Sequence, residues 1–177
     1  MTVDARLMTA DELLRIPDDG YRYELVRGEL KRMSPAKGEH GIITGRIHAW
    51  LGAWILTRKL GQVTSSDTGF LLSSNPDSVR CPDVAFIRAD RVPQDLNAFV
   101  VPPDLAIEVI SPTDRYSDVE EKKDEYLTAG VLAVVIVDPR RKTVTIHRPT
   151  GVEEVQETLV LEDVVPGWTL PLADIFA

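Results

Sequence analysis

Two carboxylates in apolar, strand-like sequence are the residues of this chain best suited to chemistry. Asp83 opens an apolar run that continues to Ile87, and Glu108 has Ile107 and Val109 as its neighbours. A charge taken into such surroundings must be paired, bound to a cation or neutralised, because an unpaired buried charge is costly. Two such carboxylates on adjacent strands would form a cation site.

Each carboxylate also has a structural interpretation. Asp83 follows Pro82, and Pro-Asp is a common turn pair, so Asp83 could simply begin a strand. Glu108 could form a salt bridge, although a strand buried on both faces offers no solvent side for a charge. The residues alone leave the choice between a salt bridge and a cation site open.

Lys122 is the candidate amine beside these acids. It lies four residues before Tyr126, so the two side chains share one face of a predicted helix. The alternative is that this run of mixed charges, 120–125, is a solvated helix face.

The elements around the carboxylates predict a mixed α/β fold: a central mixed β-sheet flanked by helices. The strand that holds Glu108, a helix over 117–129 and the continuous apolar strand 131–137 follow in the order of a parallel crossover. Strand-like runs at 21–26 and 29–33 predict an N-terminal hairpin, and runs at 142–147 and 153–160 predict a C-terminal hairpin. We expect one domain over 1–177, since no linker or repeat divides it.

Three further elements are predicted before Glu108. Thr9 and Glu12 match a capping box at the start of a short helix over 9–15. A long helix extends to about Lys59, with His40 near its start, and 63–72 reads as a strand interrupted at Gly69. A helical turn is predicted at 94–99. The apolar stripe of the long helix is typical of core packing, and it consists of Ile43, Ile47, Trp50, Leu51, Trp54 and Ile55.

Composition excludes some classes of function. The net charge of −8 argues against bulk electrostatic coating of nucleic acid, but not against a nuclease that binds phosphate through a cation. No apolar run is long enough for a membrane span, and the first ten residues do not resemble a signal peptide, so we expect a cytoplasmic protein. The single Cys81 fits a reducing compartment.

Several ordered motifs resemble the Uma2 family (DUF820) of restriction-endonuclease-like proteins, within the PD-(D/E)XK nuclease superfamily. The resemblance covers 21–139 and rests on Tyr23-Glu24-Leu25-Val26-Arg27-Gly28-Glu29-Leu30, Met33-Ser34-Pro35, His40, Pro82-Asp83, Glu108-Val109-Ile110-Ser111-Pro112, Lys122 with Tyr126, Gly130-Val131 and Val137-Asp138-Pro139.

The resemblance implies a restriction-endonuclease-like core whose acidic pair, Asp83 and Glu108, binds a divalent cation. The superfamily's lysine two residues beyond the second acid is absent, because Ile110 stands there, and the resemblance implies that Lys122 supplies the amine.

Three further residues match the family's opening motifs. Glu24 and Glu29 match acidic positions, one of which would complete the site, and His40 matches a recurrent histidine.

On this basis the predicted function is hydrolysis of phosphodiester bonds, with DNA as the substrate that the resemblance implies. Asp83, Glu108 and the backbone carbonyl of Val109 would be the metal ligands, and oxygen ligands favour Mg²⁺ or Mn²⁺ over zinc. One alternative is a catalytically silent module that binds nucleic acid or protein as a homodimer. Another is a purely structural ion pair between Glu108 and Lys122, which predicts no cation affinity.

Overall fold

The computed structural model describes residues 6–33, 38–95, 99 and 101–177. The helices are α1 (Ala10–Leu14), α2 (Gly38–Arg58), α3 (Tyr116–Thr128) and α4 (Leu172–Ile175), with a 3-10 turn at Ala89–Arg91. The strands are β1 (Tyr23–Val26), β2 (Glu29–Arg32), β3 (Gly61–Ser65), β4 (Phe70–Ser73), β5 (Ser78–Arg80), β6 (Val84–Arg88), β7 (Leu105–Val109), β8 (Ala133–Asp138), β9 (Thr143–Arg148), β10 (Gly151–Val155), β11 (Thr158–Val160) and β12 (Thr169–Pro171).

A mixed sheet of six strands, in the order β10-β9-β8-β7-β6-β3, forms the centre of the fold. β7 and β8 are parallel, and the other neighbouring pairs are antiparallel. The predicted mixed α/β fold is therefore confirmed, including the parallel pair of strands joined through α3 and the two terminal hairpins. A second sheet has the order β2-β1-β5-β4, and β11 pairs with β12.

The two faces of the six-stranded sheet pack against different partners, because successive side chains of a strand point to opposite faces. Ile107 belongs to the core formed with α2, and its neighbour Ala106 packs on the side of α3 and β4. Glu108 has the parity of Ala106. It therefore points from a fully buried strand toward α3 rather than into the core beneath α2.

Local sequence signals explain how two N-terminal elements form. The side chain of Thr9 accepts a hydrogen bond from the backbone of Glu12, and Glu12 caps Thr9 in return, so the predicted capping box begins α1. Arg27 and Gly28 both have positive φ, at 49° and 82°, as a two-residue type I′ turn requires. This turn fixes the register of the hairpin formed by β1 and β2.

Three predictions about elements need correction. The strand predicted over 63–72 is two strands, because β3 joins the central sheet and β4 joins the second sheet. The run predicted over 153–160 also divides: β10 ends at Val155, and β11 pairs with β12 instead of β9. Trp50 is 54% exposed, so it does not share the core packing predicted for its stripe.

Residues 96–98, within the predicted turn at 94–99, lie outside the described residues. Within the described chain, no helix combines the length and apolar character needed to cross a membrane.

Candidate active site

Asp83 and Glu108 come together because their strands are neighbours. Asp83 directly precedes β6, which pairs with β7 in the register Val84 to Ile107. The Oδ2 atom of Asp83 accepts a hydrogen bond of 2.8 Å from the backbone N–H of Val109. Each carboxylate residue is 9% exposed. The structure thus places the two predicted acids next to each other, where β6 begins and β7 ends in the interior of the central sheet.

α3 contributes a tyrosine and a lysine to Glu108. The hydroxyl of Tyr126 donates to Glu108 Oε1 at 2.8 Å, and Lys122 Nζ lies 3.5 Å from the same oxygen. Tyr126 is fully buried, and the side chain of Lys122 is 15% exposed. The face shared by Lys122 and Tyr126 therefore points inward and is not a solvated face.

Glu24 holds Lys122 more closely than Glu108 does. Its Oε1 atom lies 3.0 Å from Lys122 Nζ and accepts the backbone N–H of Cys81 at 3.0 Å. Its Oε2 atom accepts from Arg80 Nη1, also at 3.0 Å. Glu24 is thus fully engaged with donors, which suits a residue that positions Lys122.

Glu29, the other acidic candidate of the opening motif, is exposed on β2 and does not line the cavity that contains Glu24. Of the six side chains predicted for the site, the structure brings together Asp83, Glu108, Lys122, Glu24 and His40, and leaves Glu29 outside.

Arg80 belongs to the same cluster and was not predicted from the sequence. Its side chain is 4% exposed, and besides Glu24 it donates from Nε to Glu125 at 2.6 Å. The available signal was a single charge in 78–82, where the neighbouring side chains are uncharged. A buried guanidinium requires anionic partners, so this arginine pointed to acids elsewhere in the fold.

His40, at the start of α2, contacts Asp83. Its Nε2 atom lies 3.0 Å from Asp83 Oδ2, while its Nδ1 atom is buried without a hydrogen-bond partner in the described chain. The hydrogen bond to Asp83 raises the pKa of His40 despite the opposing effect of burial. His40 and the backbone N–H of Val109 thus both hold the Oδ2 atom of Asp83.

Burial and neighbouring charges shift the acids and the amine of the site. Burial, with a contribution from Asp83, raises the pKa of Glu108 to about 7, although Lys122 opposes this. Burial alone would lower the pKa of Lys122, but the charges of Glu108 and Glu24 outweigh it and leave that pKa raised. Lys122 therefore keeps its proton at neutral pH and acts as a cation.

The thiol next to the site is unreactive by the same reasoning. Burial, and then the charge of Glu24, raises the pKa of Cys81 to about 12. A thiol with such a pKa is protonated at neutral pH and is a poor nucleophile.

A cavity of about 320 Å³ is lined by most of the site residues, namely Glu24, His40, Arg80, Cys81, Asp83, Glu108 and Lys122. Asp83 Oδ1 and Glu108 Oε2 each lack a hydrogen bond within the described chain, since the known bonds go to the other oxygen of each group. Two carboxylate oxygens with free lone pairs fit a hard divalent cation, which proteins often bind with one or two carboxylates.

The donor set for such a cation is small. Among the described residues, no group of three or more His, Cys, Asp or Glu side chains is arranged to hold a metal ion. Val109 takes part in the site through its N–H, and the role of its carbonyl as a third ligand stays a prediction.

Comparison with known proteins gives a family and similar solved structures. The family model described as "Uma2: Putative restriction endonuclease" matches residues 10–173. The chain is also similar to a solved structure from Anabaena variabilis, described as "a putative nuclease belonging to DUF820", with 20% identity and a TM-score of 0.82 over 96% of this chain and 97% of that one. At this identity the similarity shows the fold alone. A search of curated proteins gave no match.

Proposed function

This chain belongs to the Uma2 family, and we propose that it is a divalent-cation-dependent endonuclease that hydrolyses phosphodiester bonds in DNA. The observation that carries the proposal is a pair of oxygens, Asp83 Oδ1 and Glu108 Oε2, that have no hydrogen-bond partner among the described residues, at a cavity that also contains the ammonium group of Lys122. Unpaired carboxylate oxygens beside a cation are suited to water and phosphate chemistry.

Asp83 and Glu108 would hold Mg²⁺ or Mn²⁺, with the carbonyl of Val109 as the proposed third ligand. When bound, such an ion lowers the pKa of water and offsets negative charge on the phosphate. Glu108 must be ionised to act as a ligand. Because burial and Asp83 raise its pKa to about 7, a cation between the two acids would favour the ionised form.

The side chains of the protein would orient the reactants. Lys122 keeps its proton, so it would offset phosphate charge and orient the attacking water rather than remove a proton from it. Glu24 and Arg80 would keep Lys122 in place, and His40 would do the same for Asp83. The attacking water would add to phosphorus while one P–O ester bond breaks, which leaves a phosphomonoester and an alcohol.

A plasmid assay tests the proposal. Supercoiled plasmid and single-stranded DNA are incubated with the parent protein in Mg²⁺, in Mn²⁺ and in excess chelator. Asp83→Asn and Glu108→Gln remove one charge each at nearly constant volume, and we expect each to lower cleavage at least 100-fold. Glu29→Gln is the matched control, since it removes the same charge from an exposed residue outside the cavity, and it should cleave as the parent does.

Calorimetric titration with Mn²⁺ gives a readout that does not depend on cleavage. We expect the parent and Glu29→Gln to bind Mn²⁺, and Asp83→Asn to lose this binding. Cleavage that is absent, or equal in chelator, would contradict the nuclease assignment. Mn²⁺ binding without cleavage would favour the silent nuclease-fold module, and no binding at all would favour a structural ion pair between Glu108 and Lys122.

A further inference from the structure

The hairpin of β1 and β2 presents one face to the cavity. Glu24 lies opposite Lys31 in the register of the two strands, and residues directly opposite each other point to the same face. Met33 N–H donates to the carbonyl of Arg22, which extends the pairing by one step and puts these two residues on that face as well. All four residues line the cavity. The side chains of this hairpin thus form one wall of the candidate active site.

The cations deep in the cavity are already committed to buried acids. Arg80 is engaged by Glu24 and Glu125, and Lys122 by Glu24 and Glu108. Their charge is therefore mostly used within the protein.

The cationic side chains of the hairpin, in contrast, are not engaged by buried acids. In the described part of the chain, neither Lys31 nor Arg32 forms an ion pair, and both are exposed. Arg32 is opposite Tyr23 and therefore has the other parity, and its guanidinium stacks on the ring of Tyr21 at 4.1 Å. It still borders the cavity, so it lies at the rim rather than on the face that Arg22 and Lys31 share. Arg22 Nη1 donates to the carbonyl of Ser66 at 3.1 Å, and the one acid it pairs with in the described chain is the exposed Asp67, at 3.4 Å. Such surface ion pairs contribute little, so most of the charge of Arg22 remains available.

The opposite side of the cavity carries the reverse charge. Asp114, in the turn after β7, and Asp118 and Glu121 of α3 line it. A polyanion that enters this cavity would be repelled from the side of α3 and attracted to the hairpin. The arrangement gives a direction to binding in a protein whose net charge is −8.

We propose that Arg22 and Lys31, with Arg32 at the rim, form a phosphate-binding wall that receives the DNA backbone next to the bond that is cut. This inference rests on the proposed function, because it assigns the path of the substrate through the same cavity. Arg22 and Lys31 are diagonal neighbours about 7–8 Å apart on one face of the hairpin, so both can face the same stretch of backbone. The wall contacts the backbone and not the bases, so its effect is independent of sequence.

Binding in chelator tests the wall separately from cleavage. Anisotropy of a fluorescein-labelled duplex, and of its single strand, is measured in excess EDTA between about 50 and 200 mM salt. The variants are Lys31→Gln, Arg32→Gln and the double substitution, and Lys31→Arg is the conservative variant. They alter a strand that is exposed throughout, so the fold should be retained, and thermal unfolding checks this.

The matched control is Lys59→Gln. Lys59 is an exposed lysine just beyond the end of α2, about 28 Å along the helix axis from His40. The Lys59→Gln substitution therefore removes the same charge as Lys31→Gln, but far from the cavity.

We expect the parent to bind both DNA forms, and the double variant to lose at least 10-fold in affinity at low salt. For the duplex, the slope of log K against log salt should decrease by about 0.9 for each lost contact, while Lys59→Gln and Lys31→Arg keep the parent values.

The proposed wall would be contradicted if the parent and the double variant showed the same slope of log K against log salt, even if the protein cleaves DNA. It would also be contradicted if Lys59→Gln lost as much DNA affinity as the double variant. No salt-dependent binding by the parent would overturn it as well. Loss of cleavage in the plasmid assay with intact wall-dependent binding would contradict the proposed nuclease function and leave the wall in place.

Discussion

Tyr126 is the neutral hydrogen-bond donor to Glu108, and its removal should have an effect that depends on pH. The hydroxyl lies 2.8 Å from Glu108 Oε1 inside the protein. A hydrogen bond to a charged group contributes about 1.5–3 kcal/mol, against about 0.5–1.5 kcal/mol for a neutral one. Since the pKa of Glu108 in the folded protein is raised to about 7, we expect Tyr126→Phe to lower the free energy of unfolding more at pH 8 than at pH 5.

The direction follows from linkage. A carboxyl group whose pKa is higher in the folded than in the unfolded state disfavours folding when it ionises, so its contribution to stability is lost as the pH rises from about 4.5 toward 7. Tyr126→Phe removes a bond that lowers this pKa and should enlarge the loss. Urea unfolding of the parent and of Tyr126→Phe at pH 5 and pH 8 measures this difference in the free energy of unfolding. Tyr23→Phe, which removes a hydroxyl that donates to Asp19 at an exposed position, is the control, and an equal pH dependence there would contradict the assignment.

α2 offers a direct comparison of a core leucine with a surface leucine. Leu51 is fully buried against the central sheet, and Leu56 is 58% exposed on the same helix. Leu51→Ala should lower the free energy of unfolding by about 2–5 kcal/mol, because it removes buried apolar atoms and leaves a cavity. Leu56→Ala removes the same atoms from the surface and should change it by less than about 0.5 kcal/mol. Chemical denaturation measures both, and similar losses would contradict the orientation of α2.

Periodicity predicted α2 correctly but assigned too much of it to the core. The buried positions Ile43, Ile47, Leu51 and Ile55 recur at exact intervals of four, which is the signal of one face. Trp50 is next to Leu51 in sequence and is apolar, so a pattern of residue types included it. Its exposure was not predictable from residue type, because the elements that pack against a helix decide which of its apolar side chains are covered.

The strand corrections have a similar origin. The stretch 65–69 is polar and turn-prone and therefore indicates a break in the strand, but it does not indicate that β3 and β4 belong to different sheets. The chain leaves one sheet at Ser65 and enters the other at Phe70. Which strands pair is decided by contacts far apart in sequence.

The candidate site shows the same limit. Asp83 and Glu108 could be predicted, because charges within apolar strands are conspicuous in sequence. The choice between Glu24 and Glu29 could not be predicted, because Glu24 lies just before the turn of the hairpin and Glu29 lies just after it. It depends on β1 lying inside the second sheet, next to β5, whereas β2 is at its edge. Arg80 was missed for the same reason, since its partners lie 45 and 56 residues away.

Arg80 connects three layers of the molecule. It lies on β5 of the second sheet, donates to Glu24 on the neighbouring β1, and donates to Glu125 on α3, which packs on the central sheet. Through Glu24 it also borders the ammonium group of Lys122. Arg80 therefore links the second sheet to α3 beside the cavity, together with the ion pair between Lys122 and Glu24.

Arg80→Met tests this connection. The substitution leaves the partly buried Glu125 without its cation and leaves Glu24 with Lys122 alone, and breaking a buried ion pair in this way costs about 3–5 kcal/mol. Arg148→Met is the matched control, because Arg148 pairs with the more exposed Asp163 and Glu153, where about 0–1 kcal/mol is expected.

Chemical denaturation gives both values, and a double substitution separates the charge from the packing. In Arg80→Met with Glu125→Gln one of the stranded charges is removed, so part of the lost stability should return, as a coupling between the two positions. Additive losses would show that Arg80 acts through packing alone. A small loss in Arg80→Met, equal to that of Arg148→Met, would mean that the sheets are held together by the apolar contacts of α3 and β4, and that the ion cluster serves only to place Lys122.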